Sequence, residues 1–306
     1  MNMKKLKLVV LMGGISSERE VSLISGNEVI KNLDKEKYEV IPVDFNGDCT
    51  WVDIIKPDLV FIVLHGKYGE DGSVQSLLDV LNQKYTGSGS AASFLGMNKM
   101  FFKFLVNKEK IKNPKAIFLK DKNINMSDLE KLGWPVVVKP VLGGSSIGIS
   151  IVKSKKYLAK ALNLAFKYDK EVLIEEYIKG IEISCGVIED RGKITALPLV
   201  EICPKNEFFD FKSKYDEKLC QEIVPARISD ELTRKISKIS ENIFKLLKCK
   251  GLARIDFIVK ENEIYVLEIN MIPGLTSKSL LPKEAMAARI SYPKLLDKII
   301  ESALKN

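Results

Sequence analysis

Residues 59–64, "LVFIVL" within "PDLVFIVLHG", are six apolar residues in a row. A strand of this kind gives no face to water, so it is expected at the centre of a parallel sheet with helices on both sides. Its surroundings fit that expectation. "KLKLVVLMGG" reads as another buried strand closing in a glycine turn. "SEREVSLISGNEVIKNL" has apolar residues at helical spacing behind a serine cap, "YEVIPVDF" is a further strand, and "SVQSLLDVLN" is a short helix. These units predict a small doubly wound α/β domain whose ligands lie beyond the carboxyl ends of the strands.

The pattern changes after "MNKMFFKFLVNKEKI", a helix. Strands follow at "AIFL", "PVVVKP", "GISIVK" and "EVLIEEYI", with the helix "SKKYLAKALNLAF" between the last two. Further strands are expected at "IEISCGVIED", "KITALPLVEI", "ARIDFIVKE" and "EIYVLEIN", with a long amphipathic helix over about 230–248. Paired strands without regular alternation predict α+β units. A chain of 306 residues is too long for one core, and three domains are expected: 1–97, 98–180 and 181–306.

Apolar residues at 46% and charged residues at 29% suit a soluble globular protein. The net charge of +8 is either a solvated basic surface or an attraction for an anionic substrate such as a nucleotide. No basic cluster interleaved with aromatics and no zinc-finger spacing is present, so nucleic-acid binding is not expected. The five cysteines lack any C-x-x-C and read as reduced thiols of a cytoplasmic protein. The N-terminal apolar run is too short for a signal peptide, and no stretch is long enough to span a membrane.

Candidate chemistry lies in several loops and strand ends. The loop "LHGKYGEDG" carries the single histidine, His65, with Glu70 and Asp71. It follows a sheet strand, where a ligand is expected, although a lone histidine is also commonly structural. "LMGGISSE" lacks the third glycine of a dinucleotide fingerprint, and its Ser16 and Glu18 could equally cap the helix. "KPVLGGSSIGIS", residues 139–150, has no Walker lysine after its glycines. It is either a flexible linker or a loop whose N–H groups and Lys139 wrap a polyphosphate. Glu175, Glu176 and Glu182 surround a strand end. Arg254 and Asp256 share one face of a strand, as do Glu268 and Asn270 on the next. If the two strands form a hairpin, Asp256, Glu268 and Asn270 can converge as hard oxygen ligands for magnesium, the alternative being a pair of salt-bridged carboxylates.

Taken in order, "GGISSEREVSLISG", "LHGKYGEDG", "YTGSGSAASFLGMNK", "VVVKPVLGGSSIGIS", "VLIEEYIKGIE", "FFDFKSKY", "ARIDF" and "LEINMIPGLTSKSL" resemble the D-alanine–D-alanine ligase family of ATP-grasp enzymes. The resemblance runs along nearly the whole chain. It implies an ATP-grasp fold, with a doubly wound N-terminal domain and ATP held between the central and C-terminal domains. It also implies that two D-alanine molecules are joined through a D-alanyl phosphate, giving ADP, phosphate and a dipeptide for cell-wall synthesis.

By the same resemblance Lys99 and Lys139 meet the phosphates, under a closing loop with Gly144, Ser145 and Ser146. Glu175, Glu176, Tyr177 and Ile178 form the adenine hinge, Glu182 meets the ribose, and Phe208, Lys214 and Leu267 complete the nucleotide site. Asp256, Glu268 and Asn270 match the ligands of two magnesium ions, replaceable by manganese. Glu18 matches the residue that binds the ammonium of the first D-alanine, with His65 and Glu70 nearby. Ser279 and Gly274 match contacts to the second substrate, and Arg254 is suited to the charge of the tetrahedral intermediate. Tyr215, linked to Glu18 and Ser145, accompanies D-alanine in place of D-lactate as acceptor. A homodimer is expected. Two departures stand out: Gly143 where the family commonly has glutamate, and Met271 in "NMIPG" where it has threonine. Alternatives are a ligase using D-lactate or D-serine, or a regulator that binds nucleotide without catalysis.

Overall fold

A computed structural model of the chain describes residues 4–144, 147–204 and 220–305. The first sheet holds β1 (Leu6–Gly13), β2 (Tyr38–Phe45) and β3 (Leu59–Ile62), all parallel, in the order β2-β1-β3. The middle strand is therefore β1, which corrects the expectation that the doubly apolar β3 is central. The physical reason is packing on both faces rather than pairing on both edges. Leu59, Phe61 and Val63 enter one core, while Val60, Ile62 and Leu64 enter another. Beyond β3, among the described residues, the sheet continues only as a bridge from Val60 to Tyr85.

The helix α1 (Arg19–Asn32) follows β1, with Glu18 at the N-cap and no side-chain cap bond. The expected serine cap is replaced by a tie between loops. Ser16 Oγ accepts from the Glu18 N–H at 3.1 Å and donates to the His65 carbonyl at 2.7 Å. Next come α2 (Trp51–Ile55), α3 (Ser73–Val80), α4 (Ser90–Met97) and α5 (Lys99–Lys108), the last capped by Asn98.

The second sheet is antiparallel, with β4 (Ala116–Leu119), β5 (Val136–Pro140), β6 (Ser150–Val152) and β7 (Val172–Glu176) in the order β4-β7-β5-β6. With α6 (Met126–Leu132) and α7 (Lys155–Ala165) it encloses a separate core of Leu129, Val136, Val138, Leu158, Leu162 and Ile174.

The third sheet is built from β8 (Ile181–Asp190), β9 (Lys193–Ala196), β10 (Val200–Pro204), β11 (Cys220–Ile223), β12 (Leu252–Lys260) and β13 (Glu263–Asn270). Its order is β11-β10-β8-β12-β13, with β9 also on β8. "KITALPLVEI" thus forms two strands: the Leu197 N–H still reaches the Gly186 carbonyl, but Pro198 after it has no N–H to give the ladder. The remaining helices are α8 (Asp230–Leu246), α9 (Leu280–Ala287) and α10 (Tyr292–Lys305).

Alternation along β8 and β12 sorts the third sheet's faces. Ile183, Cys185, Val187, Ala253, Ile255 and Phe257 turn to a core that also takes Ile236, Ile243 and Phe244 of α8 and Phe102 and Val106 of α5. That core continues into Val9, Leu11, Val60 and Ile62 of the first sheet. On the first sheet's other side, α10 contributes Leu295, Leu296, Ile299 and Ile300. Tyr38 donates to Asp297 Oδ1 at 2.7 Å, pinning α10 to β2. The opposite face of the third sheet carries Ser184, Arg254, Asp256, Glu268 and Asn270. Among the described residues, no helix is long and apolar enough to cross a membrane.

Candidate active site

Three groups of side chains meet where β1, β3, β5 and the β12–β13 hairpin end. The first is acidic. Glu18 and Glu70 are both buried. A side-chain carbon built on Gly66 would lie 2.5 Å from Glu18 Oε2, and one built on Gly144 would lie 3.6 Å from Glu18 Oε2 and 3.8 Å from Glu70 Oε2. Gly66 has a positive φ of +72, and its N–H donates to Glu70 Oε2 at 2.8 Å. Glycine is thus required both for the turn and for the approach of the acids. Burial, reinforced by the charge of Glu18, pushes the Glu70 carboxyl up to about 8. His65 sits beneath, against Ser25 Oγ at 3.3 Å. Burial holds its pKa down to about 4, so the ring is neutral near pH 7.

The second group is basic. Lys99, Lys103 and Lys139 are all buried, as is Glu175. Glu175 lies 2.6 Å from Lys139 Nζ and 2.7 Å from Lys103 Nζ. Burial alone would raise the Glu175 pKa, but Lys139 and Lys103 outweigh it and hold the carboxyl below its ordinary value. Lys103 also donates to the Pro114 carbonyl at 2.7 Å and to Asn113 Oδ1 at 3.1 Å. The anchor Glu175 therefore fixes where Lys139 points. Glu176 accepts from the Lys115 N–H at 2.7 Å, which ties β7 to the start of β4, and the Tyr177 N–H donates to the Pro135 carbonyl.

The third group is the hairpin. Asp256 pairs with Glu268 and Arg254 with Asn270, so the expected hairpin and its shared face are both present. The register then skips Leu267, since Phe257 pairs with Val266. This bulge re-aims Glu268 at the strand end. Arg254 grips Asp256 with Nε at 3.0 Å and Nη2 at 2.8 Å, and Ser184 Oγ donates to Asp256 Oδ1 at 2.9 Å. Burial by itself would lower the Arg254 pKa, yet Asp256 more than compensates and holds the guanidinium protonated.

Lys99 joins the groups. Its Nζ donates to the Gly143 carbonyl at 2.6 Å and lies 3.3 Å from Glu268 Oε2. Gly143 has φ +153. Just past Asn270, Gly274 packs on Ser279, whose Oγ is 2.8 Å from Thr276 Oγ1. Met271 is buried against Gly96 and Cys249, so the departure from threonine is absorbed by packing. Of the other expected residues, Ile178 is buried, Glu182 and Leu267 are half-buried, and Ser145, Ser146, Phe208, Lys214 and Tyr215 lie outside the described residues.

Two charged residues escaped the sequence reading. Lys103 lies one helical turn after Lys99, a spacing that puts both on one face and could have flagged it. Glu284 on α9 is fully buried, but nothing in "LPKEAMAA" distinguishes it from a solvated helix position.

Among the described residues no three His, Cys, Asp or Glu side chains group to hold a metal. The expected third donor here is the Asn270 amide, whose Oδ1 accepts from the Ile272 N–H at 3.1 Å. Two carboxylates directly opposite one another, with an amide oxygen on the same face, form an all-oxygen set. Such a set fits magnesium or manganese, which keep other positions for water or phosphate oxygens.

The three sheets with their helices have the architecture of ATP-grasp enzymes. Residues 93–301 match the family profile described as "D-ala D-ala ligase C-terminus", and residues 7–55 and 53–88 match "D-ala D-ala ligase N-terminus". The D-alanine–D-alanine ligase of Bacillus anthracis is 44% identical over 303 residues, covering 98% of each chain. That of Clostridium perfringens is 42% identical over 302 residues, covering 98% of this chain and 99% of the relative. Among solved structures, the B. anthracis ligase complexed with ATP superposes with a TM-score of 0.87 at 43% identity, with 98% of both chains covered. The VanG D-Ala:D-Ser ligase of Enterococcus faecalis gives 0.84 at 32% identity, covering 98% of this chain and all of the other. The chain belongs to the D-alanine–D-alanine ligase family.

Proposed function

We propose that this chain uses ATP to join two D-alanine molecules into D-alanyl-D-alanine, for cell-wall precursor synthesis in the cytoplasm, and that it works as a homodimer. The single observation that carries the reading is the bridge made by Lys99 between the Gly143 carbonyl and Glu268. It brings the glycine loop, the buried lysines and the carboxylate hairpin to one point, as phosphoryl transfer to a carboxylate requires. Three domains, bounded near residues 97 and 180, would contribute one group of side chains each, with α5 as the strut between them.

In this reading Lys99 and Lys139 hold the ATP phosphates, with Glu175 fixing Lys139 and β7 leading into the adenine hinge, Glu175 to Ile178. Glu182 faces the ribose, and Leu267 lines the nucleotide site. Glu18, with Glu70 and neutral His65, receives the ammonium of the first D-alanine, leaving its carboxylate free to attack the γ-phosphate. Asp256, Glu268 and Asn270 would hold magnesium or manganese, which when bound neutralises phosphate charge and polarises the transferring group. Arg254 faces the acyl phosphate and the tetrahedral intermediate formed when the amine of the second D-alanine attacks, and meets their negative charge. Gly274 and Ser279 orient that second substrate. The experiment is D-alanine-dependent release of ADP, with the product identified by mass. D-alanyl-D-alanine is expected; an ester with D-lactate or a D-alanyl-D-serine product formed in preference would reassign the acceptor, and no ADP release would remove the reading.

A further inference from the structure

Glu284 has no solvent exposure, and neither of its carboxyl oxygens makes a well-formed hydrogen bond. A carboxyl buried in this way costs stability. Its surroundings, Leu281 and Leu197, would suit an apolar side chain better. Packing therefore gives no reason for an acid here.

Its location does. A side-chain carbon built on Gly186 would lie 2.1 Å from Glu284 Oε2, so the carboxyl fills the volume that glycine vacates on β8. Gly186 is the ladder partner of Arg254 on β12. Directly opposed residues of an antiparallel pair project to the same face. The acid thus stands on the Arg254 side of the sheet, and next along that face Ser184 and Asp256 form the following pair. Burial pushes Glu284 up to about 8; the neighbouring Arg254 acts against that rise, the charge of Asp256 adds to it, and the Gly186 N–H and Ser184 hydroxyl oppose it more weakly.

We propose that Glu284 is a positioning residue for Arg254: its carboxyl, seated in the Gly186 notch, stands as a second acid on the guanidinium's side of the sheet without bonding to it, and Asp256 makes the direct contacts. The inference rests on the reading of Arg254 as the group that meets charge at the reaction centre. Asp256 holds one edge of the guanidinium through Nε and Nη2. An Asp256 also engaged with a divalent ion would grip it less, and Glu284 keeps the arginine from following that carboxylate.

The test uses the full-length protein and steady-state ADP release. Glu284→Met should raise the melting temperature by about 2 °C, since it removes a poorly satisfied buried acid. It should also lower kcat on the order of tenfold with KM for ATP little changed. Combined with Arg254→Lys, it should add nothing to the loss from Arg254→Lys alone, because both changes remove one unit. An unchanged kcat in Glu284→Met overturns the proposal. So do losses that multiply in the double variant, whatever the melting temperature, since they mark an effect independent of Arg254. Absence of ligase activity in the unmodified protein would instead remove the reading of function.

Discussion

The second sheet and the other two sheets are held together in different ways. Leu129, Val136, Val138 and Ile174 belong to a core that no residue of the first or third sheet enters. The first and third sheets, by contrast, share one core through Val9, Val60, Ile183 and Phe244, and another through Phe61, Ile188, Leu295 and Ile300. One part of the molecule is thus a fused body and the other an independently packed unit. Lys139 and Glu175 stand on the independent unit, and Asp256, Glu268, Glu18 and Glu70 on the fused one. On the proposed reading a substrate would be gripped from two bodies whose apolar interiors do not merge, so that their separation could change without opening either core.

The largest effect that would test this division is on chemistry. Glu268→Gln should lower kcat about 100-fold or more, because it removes a carboxylate from the all-oxygen set without disturbing either core. Near-normal turnover in the ADP-release assay would put the transfer site elsewhere. Next, Leu129→Ala and Phe244→Ala should each cost about 2 to 5 kcal/mol. Hydrogen exchange should show the first loosening only the second sheet, and the second loosening the first and third sheets together. Protection lost everywhere in both variants would mean that the chain is one cooperative body.

Lys103→Met should have a smaller effect, concentrated at the boundary. It frees Glu175 to pull Lys139 out of line, and KM for ATP should rise about tenfold with kcat less affected. An unchanged KM would mean that Lys139 is positioned without Lys103. The smallest effect is a pH slope. The folded state keeps on Glu70 a proton that the unfolded chain releases above about 4.5, so this group's contribution to stability falls as pH rises from there to about 8. Glu70→Gln should lessen the decline in melting temperature between about pH 6.5 and 8, a window above that in which His65 acts in the opposite sense, and leave the part due to Glu284, which is also pushed up to about 8. The same steep decline in the variant would show that Glu70 is not its source.

The sequence was most legible where periodicity and chemistry coincide. In "GLARIDFIV" and "YVLEIN" the alternation of apolar and polar residues is enough to put Arg254 and Asp256 on one face and Glu268 and Asn270 on the next strand's matching face. It was least legible where burial comes from distant segments. Lys103 is covered by Pro114 and Glu175, and Glu284 by a notch on β8, and neither cover leaves a mark in the local sequence. The same holds for β3, whose apolar run reports two covered faces and says nothing of its neighbours along the sheet.

On the proposed reading that Lys99 meets the ATP phosphates, its contacts bear on how tightly ATP is held. Its ammonium has two oxygen partners within the protein, the Gly143 carbonyl and Glu268. A triphosphate therefore replaces counter-groups instead of meeting a bare cation, and the lysine contributes only the difference between the two sets of contacts. When ADP departs, the same two oxygens are at hand to take the ammonium back. Exchange of this kind limits the strength of product binding, and it favours repeated turnover over tight retention.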